Sequence, residues 1–141
     1  MNIREFLRLD VQKEEQTARF SAIPENCTAL GSLYGGAALA ASIETLESIT
    51  GRPLILSTCQ FNNFVQKGDA ISLKAEESVR GHNVCHANLE ATVDGLPAFK
   101  VLASFGERDI ETQTQWFDMP KLDTPGNCPV FGSGKVKEGY G

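Results

Sequence analysis

Long apolar runs are missing from this chain. Nowhere in its 141 residues does a stretch approach the roughly 18 uninterrupted apolar residues of a membrane span. Positive charge is also scarce: thirteen Lys and Arg against eighteen Asp and Glu leave a formal charge of −5. A domain that grips phosphates along nucleic acid carries a basic excess, so neither nucleic acid nor membrane is an expected partner. Cys27, Cys59, Cys85 and Cys128 form no CxxC pair. The first residues, MNIREFLRLDVQKEEQ, are charged and lack the apolar core of a signal peptide. Free thiols in a reducing cytoplasm are therefore expected rather than disulfides. His82 and His86 stand in an H-x3-H spacing, but nearby Cys85 completes no recognised ligand pattern, so no metal is expected. The phosphate loop G-x-x-x-x-G-K-[ST], a strand-linked G-x-G-x-x-G and the nucleophile elbow G-x-S-x-G are all absent. Nucleotide cofactors of those types are not indicated, and a serine-hydrolase triad is not expected, since neither histidine has an evident nucleophile beside it. No cofactor is expected.

What is present is the balance of an ordinary globular domain, 41% hydrophobic and 22% charged, with room for one core. Leu7, Leu9 and Val11 alternate with Arg8 and Asp10, predicting a half-buried strand, and a second short strand is predicted over Ala18 to Ala22. The loop PENCTALGSLYGG leads into GAALAASIETLESI, whose alanine and leucine content predicts a helix from Gly36 to about Ile49. Only Glu44, Glu47 and Ser48 form a polar stripe, so the rest of that helix must be wrapped by other structure. Gly51 caps it. The period then switches to two. Leu54 to Val65 reads as one strand, and Lys67-Gly68-Asp69 as a turn. Ile71, Leu73, Ala75 and Val79 mark the next strand, and Cys85, Ala87, Leu89, Ala91 and Val93 the one after. The strong hairpin signal Asp94-Gly95 leads to a return strand carrying Phe99, Val101, Ala103 and Phe105. Four strands joined by short turns predict an antiparallel meander. The expected class is α+β: a hotdog fold, with a curved antiparallel sheet wrapped around one long central helix. Its edge strand would be a natural place to pair with a second copy. Residues 1–118 are expected to form that domain. Residues 119–141, rich in Pro, Gly and Lys, are expected to form a linker or tail.

These residues resemble the acyl-CoA thioesterase II family. LYGGAALAASIETL looks like its glycine-pair helix, and FNNFVQKGD is similar to its F-L-R-P-G-D turn. AEESVRGHNVCHANLEATVDGLPAFKVLASF resembles its V-E-x-L-R-x-G-x-S-F segment with the following hairpin, and MPKLDTPGNCP its Met-Pro linker. The resemblance covers about residues 5 to 130. It implies hydrolysis of acyl-CoA to free acid and coenzyme A, and a pair of hotdog units, either a homodimer or this unit with a second one in a longer chain. The family's catalytic set is an Asp on the central helix, a Ser or Thr on the next strand and a Gln on the last strand, and it belongs to the second unit. Placed on this chain, the pattern puts Ser57 at the Ser/Thr position, finds no Asp on the helix, and finds Ser104-Phe105-Gly106-Glu107 without the Gln.

Thioester hydrolysis requires a polarised carbonyl and an oriented water. The N-terminus of the central helix offers unpaired N–H groups and a positive dipole end. Gly35 and Gly36 are thus candidate oxyanion donors, or simply permit a tight loop-to-helix turn. By parity Ser57 shares a face with Ile55, Cys59, Phe61, Asn63 and Val65. Ser57 is a candidate to orient water or thioester, or else a small core residue bonded to backbone. Asn63 is a candidate to bind a carbonyl, or else to satisfy a bend. Glu44 and Glu47, on the solvent-facing stripe, are poor general bases. Arg80, His82 and His86 surround a turn and are candidates for the phosphates of coenzyme A, or else a solvated hairpin end.

Overall fold

The alanine-rich segment after Tyr34 forms one long helix, α2 (Gly35–Thr50), ended by Gly51 at φ 67°. Alanines at 37, 38 and 41 are buried with Ser42, Thr45 and Leu46, and their small side chains let the helix lie close to a sheet. Ser42 and Thr45 donate back to the carbonyls of Ala38 and Ala41 at 2.8 and 2.7 Å, so neither hydroxyl is orphaned in the core. The computed structural model describes residues 2–107 and 120–128. The chain divides into two units, Met1–Asp109 and Ile110–Gly141. The division expected between residues 118 and 119 lies outside the described residues. In the second unit, Pro125–Asn127 makes a single 3-10 turn.

The first unit adds a short helix, α1 (Ile3–Leu7), and six strands: β1 (Asp10–Gln12), β2 (Thr17–Ser21), β3 (Leu54–Phe61), β4 (Ala70–Arg80), β5 (Val84–Val93) and β6 (Leu96–Gly106). They build one sheet in the order β1-β2-β4-β5-β6-β3, with every pairing antiparallel. Phe99, Phe105, Leu73, Leu89 and Val101 from this sheet meet Leu46 of α2 in the core, each at most 1% exposed. Burial of side chains this size contributes about 1.5–3 kcal/mol apiece. One long helix against one face of an antiparallel sheet is the hotdog architecture expected from the sequence.

Four local expectations are corrected. The Leu7–Val11 alternation is not one strand. Asn2 and Glu5 form a capping box that starts α1, and Arg8, at φ 51°, turns the chain into β1. The strand from Leu54 stops at Phe61, because the N–H groups of Asn62 and Asn63 both turn to the carbonyl of Ala98, at 2.8 and 3.0 Å. β3 does not join the meander beside β4. The Lys67–Asp69 turn docks on the end of β2 instead, with Gly68 N–H donating to Ala22 and Ala22 N–H to Asp69 at 2.7 and 2.9 Å. That places β4 next to β2 and sends β3 to the far edge, against β6. Finally, the polar stripe of α2 is half-buried rather than fully open to solvent. Arg4 of α1 lies over it, donating to Glu44 at 2.5 Å and to Ser48, and Glu47 accepts the N–H of Leu54 at 2.8 Å. Both carboxylates hold structure together, which removes them further from general-base duty. The Asp94-Gly95 hairpin is as expected, with both residues at positive φ, 49° and 80°.

Candidate active site

The loop before α2 is held from below by Asn26, 3% exposed. Its Oδ1 accepts the N–H of Ile23 at 2.9 Å, and its Nδ2 donates to the carbonyl of Ser21 at 3.0 Å. Its own carbonyl accepts the N–H of Tyr34 at 2.9 Å. Leu33 N–H donates to Val65 at 2.8 Å, and Ser32 bridges to Gln66. The chain therefore enters the helix pinned on both sides. The first intrahelical acceptor is the carbonyl of Tyr34, taken by Ala37 and Ala38. Among the described residues, the N–H groups of Gly35 and Gly36 have no acceptor, the normal condition of a helix start.

Gly35 lines a cavity of about 290 Å³ with Ser32, Leu33, Phe61, Asn62, Asn63, Phe64, Val65 and Phe99. Phe61 presses directly on the glycine: a Cβ added at Gly35 would lie 3.1 Å from its Cζ. Phe61 and Phe99 stand with ring centres 6.0 Å apart. Asn63 directs its Nδ2 to the carbonyl of Pro97 at 2.7 Å, so it ties the bend after β3 to β6, and Asn62 and Ser32 line the same cavity. None of these lining side chains is ionisable. Gly36 opens to a different cleft, of about 440 Å³, between α1 and α2, lined by Ile3, Phe6, Leu7, Tyr34, Ala37 and Ala40 among others. The two glycines thus serve separate spaces, with the Tyr34 ring packed over Gly36.

Ser57 faces the helix side of the sheet, opposite Ala103, with Cys59 opposite Val101 and Phe61 opposite Phe99. Ile55 leaves that row, because a bulge between Leu54 and Leu56 shifts the register. Ser57 does not line the cavity. It sits four residues before Phe61, about 13 Å along an extended strand. Burial pushes the Cys59 thiol up, so that side chain stays neutral and adds apolar surface to the row.

A sequence family described as the acyl-CoA thioesterase N-terminal domain matches residues 23–106, more than half of the chain. The chain belongs to that family. The match runs from just before Asn26 to the end of β6, so it contains both the cavity and the whole of α2. No curated protein matches the chain. Among solved structures, a protein of Novosphingobium aromaticivorans assigned as a thioesterase superposes with a TM-score of 0.76 at 27% identity, over 84% of this chain and 48% of its own. The chain thus spans about half the length of that relative. A Streptococcus mutans protein bound to acetyl-CoA shares the fold with a TM-score of 0.65 at 13% identity, over 72% of this chain and 91% of that one. So does a hypothetical thioesterase of Streptococcus pneumoniae with coenzyme A, with a TM-score of 0.66 at 14% identity, over 77% and 94%.

In this thioesterase-family unit the remaining candidates do not gather at the cavity. Arg80 lies at the other end of α2, where one Nη donates to the carbonyl of Thr50 at 2.8 Å. Its Nε and the same Nη hold the Glu77 carboxylate at 2.6 and 2.5 Å, which raises the guanidinium pKa above its ordinary value. A cation there complements the negative end of the helix dipole. Arg52 ties the β4–β5 turn to the same end, donating to the carbonyls of Gly81 and His82 at 3.1 and 3.0 Å. His82 lines a cleft of about 350 Å³ with Gly51, Arg52, Pro53, Asn83 and Glu107. His86 is on the outer face of the sheet, its Nδ1 2.9 Å from Ser104 Oγ. A helix of sixteen residues, about 24 Å long, separates this end from Gly35. No group of three or more metal-ligating side chains converges among the described residues, and none of their helices is long and apolar enough to cross a membrane. Cys27, Cys59, Cys85 and Cys128 are free thiols. Asn26 is the residue that sequence reasoning missed. Its only signal was an Asn just after Pro24, a residue type that readily bonds nearby backbone.

Proposed function

We propose that this chain is a hotdog unit of an acyl-CoA thioesterase of the thioesterase II branch, hydrolysing acyl-CoA to free acid and coenzyme A. The observation that carries the reading is the unpaired N–H of Gly35 at the start of α2, on the wall of an apolar cavity. The thioester carbonyl would be polarised by that N–H and by the positive helix end. Water attacks the carbonyl carbon, negative charge collects on the carbonyl oxygen facing the helix, and the C–S bond then breaks to release the thiolate of coenzyme A. Because the lining side chains carry no base, the proton of the attacking water leaves through solvent or to a group brought by a second hotdog unit. The unit would work as a homodimer or beside a second hotdog unit in a longer chain, with the edge strand β3 as the natural joint. Exposed Leu56 and Phe61 lie along that edge, and Leu102 on the neighbouring strand. The free thiols fit a cytoplasmic setting.

A second reading is favoured by one observation, the absence of an ionisable group in the described lining. In it the chain is an acyl-binding or structural half, and the partner unit supplies the chemistry. Hydrolysis of an acyl-CoA panel by the purified chain separates the two. Free coenzyme A should be read by mass spectrometry, because four cysteines would consume a thiol dye. Turnover supports the enzyme, whereas saturable acyl-CoA binding without turnover supports the binding half.

A further inference from the structure

Along the inner face of β3, Phe61 is followed by Cys59 and then Ser57, standing opposite Phe99, Val101 and Ala103. A bulky aromatic is thus followed by two small side chains. On the facing helix, Leu39 and Ile43 continue the stripe begun by Gly35 at i, i+4 spacing, and both are half-buried. β3 is the sheet edge, and beyond Phe61 its inner face, with Cys59, packs against the core, as does Leu39 of α2. Phe61 stands at the boundary. Its ring reaches from the edge strand to the first residue of α2, and it lines the cavity while Cys59 and Ser57 do not. At about 290 Å³ the cavity falls just below the range of roughly 300–1,000 Å³ usual for small-molecule pockets. It is open on one side, and the Phe61 ring forms its wall toward Cys59.

We propose that Phe61 is the specificity-determining residue of this site: its ring bounds the cavity on the side of Cys59 and Ser57 and stops the acyl group there. The inference rests on the reading of the cavity as the acyl site. It commits the protein to short acyl thioesters, and it names what would have to change for longer ones to enter. Phe61 is 55% exposed, so truncating its ring leaves the buried core in place.

The test uses the full chain and a straight-chain acyl-CoA panel from acetyl to palmitoyl, reading kcat/KM and, by titration calorimetry, Kd. Wild type should prefer the short end. Phe61→Ala should raise the long-to-short ratio at least tenfold, about what two newly buried methylenes supply. The double variant Phe61→Ala/Cys59→Phe moves the stop one inner-face position along β3, about 7 Å, and should prefer an intermediate length. Thermal melts establish that each variant is folded. An unchanged ranking in folded Phe61→Ala, by both rate and Kd, overturns the inference and leaves the acyl-site reading standing. Failure of wild type and Phe61→Ala alike to bind any acyl-CoA overturns both. Binding that shifts with Phe61 in the absence of turnover supports the inference and sinks only the self-sufficient enzyme.

Discussion

Replacing Asn26 by alanine should unfasten the loop that presents Gly35. Two side-chain hydrogen bonds to backbone disappear, the one from Ile23 N–H at 2.9 Å and the one to the Ser21 carbonyl at 3.0 Å, together with a weaker one from the Cys27 thiol at 3.7 Å. Each of the two backbone bonds is worth about 1 kcal/mol, and a polar group left unpaired beside a side chain 3% exposed adds about 1–2 kcal/mol more. The expected loss is about 3–4 kcal/mol, read by urea denaturation as a lower midpoint at unchanged slope. Acyl-CoA turnover should fall as well, since the side-chain bonds fix the position of the backbone carbonyl of residue 26, which accepts the Tyr34 N–H ahead of Gly35. Asn26→Asp is the sharper probe, because it keeps the acceptor for Ile23 but turns a carboxylate oxygen on the Ser21 carbonyl. Burial raises the pKa of such an Asp, so this variant should regain stability relative to wild type as pH falls through that raised value. A loss below about 0.5 kcal/mol for Asn26→Ala would refute the argument that these bonds hold the loop.

Ser57→Ala should leave both stability and turnover nearly unchanged, within about threefold in kcat/KM, because the hydroxyl is about 13 Å along the strand from the cavity wall; a sharp fall in rate would place Ser57 in the reacting group after all. Glu47→Ala removes the acceptor for Leu54 N–H at the start of β3 and should cost about 1 kcal/mol by thermal or urea melts. Lys100 donates to Glu90 at 2.6 Å and holds that carboxyl below its ordinary value. A lowered folded value means that the pair's contribution is present above the unfolded pKa and lost as pH falls through the folded one. The pair is exposed, so the effect is small and should vanish in high salt or in Glu90→Gln, as measured by melts across the acid range.

The elements that sequence reading located were those whose signal is local. The Ala-rich run with Gly51 at its end marks α2 within one residue at each side, and Asp94-Gly95 fixes the β5–β6 hairpin without help from the rest of the chain. What it missed depends on partners far away in sequence. Nothing near Leu54 says that β3 will cross to pair with β6, since the deciding bonds join Gly68 and Asp69 to Ala22. α1 is the exception: its capping box, Asn2 with Glu5, is a local signal, whereas the alternation of Leu7, Leu9 and Val11 reads as a strand and is a chance pattern. The glycine pair before the apolar helix does stand at the helix start, with Gly35 as the first residue of α2. That Gly35 and Gly36 open to separate clefts, and that Arg80 serves the far end of the same helix, follow from tertiary contacts that no spacing rule carries.

The central claim is that the N–H of Gly35 stabilises charge on the thioester oxygen, and a pair of substitutions at that one residue isolates it. Gly35 is the first residue of α2, and Tyr34 before it is extended at φ −69° and ψ 129°, so proline fits the position and its predecessor. Gly35→Ala and Gly35→Pro both add a Cβ against the exposed ring of Phe61, but only proline removes the N–H. The measurement is kcat of the two variants on the acyl-CoA that wild type turns over fastest. The account predicts that Gly35→Pro is slower than Gly35→Ala by about 10²–10³-fold at equal fold stability. Equal rates in the two variants, or a wild-type chain that turns over no acyl-CoA at all, would contradict it.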